Sequence, residues 1–210
     1  MDSLSLTRFG LNGWLIRFAD RIDENSLARC RGLMAAFEEN PLPGLRDMTP
    51  AYREVLLEFD GAADEAQIRQ LLQRAKPLPA EEARLHEIPV IYDGPDLEEL
   101  ASSKGLSVAE VIARHSAPVY HVHLIGFAPG FPYLGPLDPT LHSPRLATPR
   151  TKVPKGSVGI GGEHTGIYSI ASPGGWRIIG RTEVELFSPV RDQGAFLLRQ
   201  GDRVKFVPAP

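Results

Sequence analysis

The sequence predicts an α+β protein in two modules, one mixing helices with strands and one built almost wholly of short strands. Three observations lead there. Residues 26–39 and 68–75 place apolar side chains at helical spacing, with strand-like runs on either side. From Leu124 to Thr182 the chain breaks into short apolar runs, such as Val158-Gly159-Ile160 and Ile167-Tyr168-Ser169-Ile170, separated by glycines and prolines. Short strands joined by tight turns indicate a compact β-barrel or sandwich. Charge divides as well: residues 1–99 carry 11 basic and 19 acidic side chains, and residues 100–210 carry 12 and 7. Such asymmetry indicates two modules with different surroundings.

Residues 5–19, with Phe9, Trp14, Ile16 and Phe18, read as a strand with a break at Gly10–Gly13. Leu27, Cys30, Leu33, Met34 and Phe37 then mark one face of a helix, with Asp23 or Asn25 as cap and Pro41–Gly44 as its stop. Cys30 on that face reads as a buried structural thiol. Leu45–Thr49 and Tyr52–Phe59 read as strands. A capping box at Asp64-x-x-Gln67 opens a helix with Ile68, Leu71, Leu72 and Ala75 inward, and Pro77-Leu78-Pro79 closes it. Arg84–Tyr92 is the last strand of the module. The order β-α-β-β-α-β over residues 1–92 is the ferredoxin-like split arrangement, a fold that by itself says nothing of function.

The second module, residues 93–210, opens on two short helices with capping boxes at Asp96-x-x-Glu99 and Ser107-x-x-Glu110 and a break at Gly105. His115 falls in the last turn of the second, where a cation favours the helix dipole. Val119–Phe127 reads as a strand with His121 and His123 on one side. A pair of histidines without a third ligand nearby makes no metal site. Glu183–Phe187, Ala195–Leu198 and Arg203–Val207 read as closing strands.

Composition narrows the function. Apolar content of 42%, charged content of 23% and a net charge of -3 are ordinary for a globular protein. No run of eighteen apolar residues is present to span a membrane, and MDSLSLTRFG lacks the basic and apolar regions of a signal peptide. The single cysteine fits a reducing cytoplasm. An acidic chain with a modest basic patch does not read as a nucleic-acid binder. The basic patch lies in the glycine-rich stretch: between His142 and Arg181 stand Arg145, Arg150, Lys152, Lys155, Arg177 and Arg181 against one acid, Glu163. It predicts an anionic ligand, a carboxylate or phosphate, or an acidic partner. Arg150 is the first choice for a carboxylate, since a guanidinium binds one with two parallel hydrogen bonds. Backbone amides of the Gly-rich turns, with Lys155, Arg177 and Arg181, would support a developing oxyanion, and Glu163 and His164 would exchange protons. There is no Walker A motif, dinucleotide fingerprint or GxSxG elbow. An exposed apolar patch, were there one, would fall to Phe127, Phe131, Tyr133 and Leu134.

Several blocks together resemble a known family. GFAPGFPYLG (126–135), PRTKVPKGSVGIGG (149–162), TGIY (165–168), SPGGWRIIGRT (172–182) and the GPDL segment at Gly94–Leu97 are similar to the signature blocks of the allophanate hydrolase subunit 1 family. The same family is known for the B-type component of 5-oxoprolinase, and it includes sporulation kinase-inhibitor proteins. The resemblance implies a C-terminal cyclophilin-like β-barrel. It implies a cytoplasmic subunit that acts with C-type and A-type subunits in ATP-dependent opening of 5-oxoproline to L-glutamate. ATP, with Mg2+, would belong to the complex. The alternatives it carries are inhibition of a sensor histidine kinase, or a subunit of an allophanate- or urea-type hydrolase or carboxyltransferase. Matching motif positions put Gly126, Phe127, Pro129, Gly130, Phe131, Gly156, Ser157, Tyr168 and Trp176, with Arg181, on the substrate side. Arg150, Lys155, Glu163 and His115 are the candidates for chemistry. His164 stands where the family commonly has glutamine, and Ser169 where it has proline.

Overall fold

A computed structural model describes residues 4–18, 24–51, 53–78, 83–190 and 195–210. The chain is a mixed α/β protein dominated by strands, with four α-helices among the described residues. It divides into two compact units, Met1–Glu82 and Ala83–Pro210.

The first unit is a four-stranded antiparallel sheet backed by two helices. Strands β1 (Ser5–Phe9) and β2 (Gly13–Arg17) form a hairpin, so the expected break in the first strand is a turn. Helix α1 (Glu24–Glu39) follows, then β3 (Leu45–Ala51), β4 (Glu54–Phe59) and α2 (Glu65–Arg74). The sheet order is β1-β2-β4-β3. Alternate residues Trp14, Ile16, Val55, Leu57 and Phe59 pack under Leu33, Phe37, Ile68 and Leu71 of the helices. Cys30 is fully buried among them, and burial pushes its thiol up to about 11, as expected of a structural cysteine. Asp64 caps α2 by accepting from the Ala66 amide. Asp23, Tyr52 and Pro79 lie outside the described residues.

The expected closing strand of this module forms as β5 (Leu85–Val90), but in the other unit. It runs parallel to a strand near the end of the chain, Arg203–Pro208, in register from Leu85↔Arg203 to Val90↔Pro208. The boundary expected at residue 92 therefore falls between Glu82 and Ala83, and the position beside β2 is filled by β1. The physical reason is burial on one side of the swap and economy of chain on the other. Ile88 and Val90 are completely buried in the second core, while the β1–β2 hairpin needs only a short turn.

The second unit continues with α3 (Leu97–Lys104), α4 (Val108–Ser116), β6 (Val119–Ile125), β7 (Pro132–Gly135), β8 (Arg150–Val153), β9 (Ser157–Gly161), β10 (His164–Ile167), β11 (Ser172–Gly174), β12 (Arg177–Arg181) and the closing β13 (Arg203–Pro208). Seven strands form one sheet in the order β12-β9-β10-β7-β6-β13-β5, and β8 and β11 form a separate ribbon. The two outermost strands of the seven meet: Ile91, just past β5, exchanges two 2.9 Å backbone hydrogen bonds with Arg181 of β12. The sheet thus curls round on itself and encloses Val122, Leu134, Val158, Ile160, Ile167, Ile179, Val204 and Phe206, with Leu100 and Val111 of the helices packed against them. The Ser107–Glu110 capping box is complete. Asp96 makes no side-chain cap and is used elsewhere. The segments Glu183–Phe187 and Ala195–Leu198, expected as closing strands, meet instead through the isolated bridge Phe187↔Phe196.

Candidate functional site

Ribbon strand β8, the start of β9, the end of β12 and the Asp93-Gly94-Pro95 segment enclose a cleft of about 440 Å³. Arg150, Lys152, Lys155 and Arg181 line it, with Ser157 and the apolar groups Pro95, Val153, Pro154 and Ile178. Arg150 and Lys152 are two apart on β8 and so share a face of the strand. The fold therefore brings Arg150, Lys155, Ser157 and Arg181 together from the predicted set.

The cations are less free than the local charge window suggests. Arg150 donates to Asp96 Oδ1 at 2.6 Å and to the Trp176 carbonyl at 3.4 Å. Asp96 is buried, and its other oxygen accepts the Ile178 amide at 2.6 Å. One carboxylate thereby ties β8 to β12, and Arg150 is committed to a protein acid rather than open to make a bidentate clamp. Lys155 pairs with Glu185 at 2.9 Å, Arg177 with Glu99 at 2.8 Å, and Arg181 with Asp93 at 2.9 Å and Glu183 at 3.1 Å. Acids from residues 93–99 and 183–185, outside the 142–181 window, answer four of its six cations. Lys152 lines the cleft and Asp96 holds its Arg150 from behind, although sequence reasoning misses both. In the sequence Lys152 is only one member of a charge count, and Asp96 has the pattern of a helix cap.

The glycine motif serves packing. At Gly156, φ is +83°, and an added Cβ would overlap the Thr182 carbonyl oxygen, so only glycine lets the turn pass there. At Gly161 a Cβ would sit 2.6 Å from the Trp176 indole. Trp176 and Tyr168 are both almost fully buried, stacked edge-on around Phe131 at 5.3 and 5.2 Å. Burial raises the Tyr168 hydroxyl pKa. These rings form a core cluster rather than a ligand wall. The loop Gly126–Phe131 is held from within by the Gly126 amide on the Phe131 carbonyl and from outside by Ser169 Oγ on the Pro129 carbonyl. Gly130 turns it with φ +74°. Phe127 sits at φ +68° and is 62% exposed. The patch of four apolar side chains does not form, because Phe131 and Leu134 are buried.

Glu163, in the β9–β10 turn, and His164, the first residue of β10, lie off the cleft, 3.8 Å apart. Burial lowers the His164 pKa, Glu163 opposes the shift, and His142 and Arg145 add to it. His121 and His123 do face the same way, with ring centroids 6.3 Å apart. No group of three His, Cys, Asp or Glu placed to hold a metal occurs among the described residues. His115 is not at a solvated helix end. It is fully buried, stacked on Phe206 at 4.7 Å. Thr165 Oγ1 donates to the Gly159 carbonyl at 3.0 Å and so accepts from His115 Nε2 at 2.8 Å. Nδ1 then accepts from the Tyr92 hydroxyl at 2.7 Å. Desolvation drives the imidazole pKa down to about 3, which makes it a neutral bridge between α4 and β10.

Comparison with known proteins adds the lineage. The family described as "Carboxyltransferase domain, subdomain C and D" matches residues 4–197. The chain belongs to this family. Within it, the chain is 37% identical over 220 residues to the B-type subunit of 5-oxoprolinase from Bacillus subtilis, covering 96% of this chain and 91% of that one. It is 55% identical over 130 residues to the corresponding subunit of Escherichia coli O157:H7, a match spanning 60% of this chain and 59% of the relative. Among solved structures, the protein TTHA0988 superposes with a TM-score of 0.84 and 42% identity over 95% of this chain, which accounts for 41% of that longer chain.

Proposed function

We propose that this chain is the B-type subunit of an ATP-dependent 5-oxoprolinase, opening 5-oxoproline to L-glutamate in the cytoplasm together with A- and C-type subunits. The observation that carries the reading is the cleft at β8, where cations and apolar walls converge on a volume suited to a small molecule with one acid group. The names of the relatives point the same way. Opening the lactam adds water across its amide and yields a carboxylate and an amine. ATP hydrolysis with Mg2+ drives this in the complex, and no group of this chain is assigned to the nucleotide. The cleft is proposed to hold and orient the substrate, with Arg150 fixed as a wall by Asp96, with Ser157 buried in its lining and with Lys155 and Arg181 exposed at its edge. By the same reading the closed sheet is cyclophilin-like. The first unit is a variant of the ferredoxin-like arrangement with β1 in the place of its fourth strand.

The test is glutamate release from 5-oxoproline by this chain mixed with its A- and C-type partners and MgATP, each component omitted in turn. The proposal expects release only from the full mixture. Turnover that persists without this chain, or its absence from a complex that assembles, would reject the reading.

A further inference from the structure

We infer that Lys152 binds the substrate carboxylate, and that the cleft takes a small monocarboxylate rather than a nucleotide. This deepens the function proposed above and rests on it for the identity of the substrate. Charge is the reason. Four cations line the cleft, and three are answered by protein acids: Arg150 by Asp96, Lys155 by Glu185, and Arg181 by Asp93. Lys152 lines the same space, is exposed, and makes no ion pair or hydrogen bond with any described residue. A cation held against carboxylates has little left to offer a further anion, whereas a free ammonium has three donors for one carboxylate.

The count also sets the class of ligand. A nucleoside triphosphate brings several negative charges and calls for a correspondingly large set of unpaired cations and donors. Among the described residues this cleft offers one cation without an ion pair, beside the walls of Pro95, Pro154 and Ile178 that suit a small carbon ring. The neighbouring glycine turn does not supply a phosphate cradle either. The Gly156 amide donates to the Tyr168 carbonyl at 2.7 Å, and the Ser157 amide faces the Pro154 carbonyl at 3.3 Å.

The experiment compares the reconstituted complex carrying wild-type chain, Lys152→Ala and Lys152→Arg. Lys152→Ala is expected to raise KM for 5-oxoproline about 10- to 100-fold, the value of one charge-assisted hydrogen bond. KM for MgATP should stay within about twofold, and Lys152→Arg should restore most of the affinity. An unchanged KM for 5-oxoproline, or a rise in KM for MgATP instead, overturns the inference. A second measurement does not depend on turnover. Amide NMR shifts of the full labelled chain are followed with 5-oxoproline, with uncharged 2-pyrrolidinone, and with MgATP. Shifts at residues 150–157 and 178–181 from 5-oxoproline, lost in Lys152→Ala and not produced by 2-pyrrolidinone, sustain the inference even if the complex proves to have another activity. No shift with 5-oxoproline, or shifts at those residues with MgATP, sinks it.

Discussion

His115 shows what burial does to a residue that looks chemically ready. A histidine near a helix end usually titrates near neutrality and profits from its charge. Here the ring lies between Tyr92, Thr165 and Phe206 with both nitrogens used, and desolvation holds its pKa near 3 against an ordinary 6.5. Such a group is no acid–base catalyst at neutral pH. Its consequence is for stability. The folded-state pKa is the lower one, so below pH 6.5 the unfolded chain takes up a proton that the folded chain refuses. The contribution is complete above that pH and falls as pH drops toward 3, by about 1.4 kcal/mol per pH unit. Denaturant titrations of wild type and His115→Gln at neutral pH and at about pH 5 should show it. The variant is weaker at neutral pH, but its deficit shrinks by about 2 kcal/mol at the lower pH, because glutamine has no proton to gain. A deficit independent of pH would mean that the ring takes up its proton as readily in the folded chain as in the unfolded one.

At the scale of elements, the glycines of β9 are a seat for Trp176. Gly161 faces the indole so closely that alanine has no room, and the ring is further held by edge-on contacts with Phe131 and Tyr133. Gly161→Ala should therefore lose about 1–3 kcal/mol of stability by overpacking. In a Trp176→Leu background the same substitution should cost much less, since the slot is then empty. Equal costs in both backgrounds would place the strain in the backbone instead. The periodicity of the helices and the Ser107–Glu110 box are legible in the sequence, because both depend on residues within one turn of each other. The use of Gly161 is not, because its partner Trp176 lies beyond two intervening strands. The cationic patch misleads for the same reason. The window from His142 to Arg181 contains the lysines and arginines of the cleft, but not the carboxylates that the fold brings to them from Asp93, Asp96 and Glu185. What local counting does retain is Lys152, a charge that no described element answers.

For the molecule as a whole, the point that decides its division is where β5 belongs. The pattern of residues 85–90 announces a strand, but a strand's partner is not written in its own residues. Apolar strands stand on both sides of it in the chain, and proximity favours the ones that it does not join. In the structure β5 covers β13 along six paired residues, Ile88 and Val90 fill the second core, and Ile91 joins β12 to close the sheet. Tyr92, just beyond, is the partner of His115. A fragment of residues 83–210 keeps all of this, while one of residues 93–210 loses it. Two fully buried aliphatic side chains are worth about 1.5–3 kcal/mol each, which together approaches the roughly 5–15 kcal/mol by which a domain is stable at all. The longer fragment is expected to melt in one cooperative transition and to give a dispersed amide spectrum. The shorter one, with the edge of β13 uncovered, is expected to show neither and to associate through that edge. Equal cooperativity in the two fragments would mean that β5 merely decorates the second unit, and the division would return to the position that the pattern of strands and helices suggests.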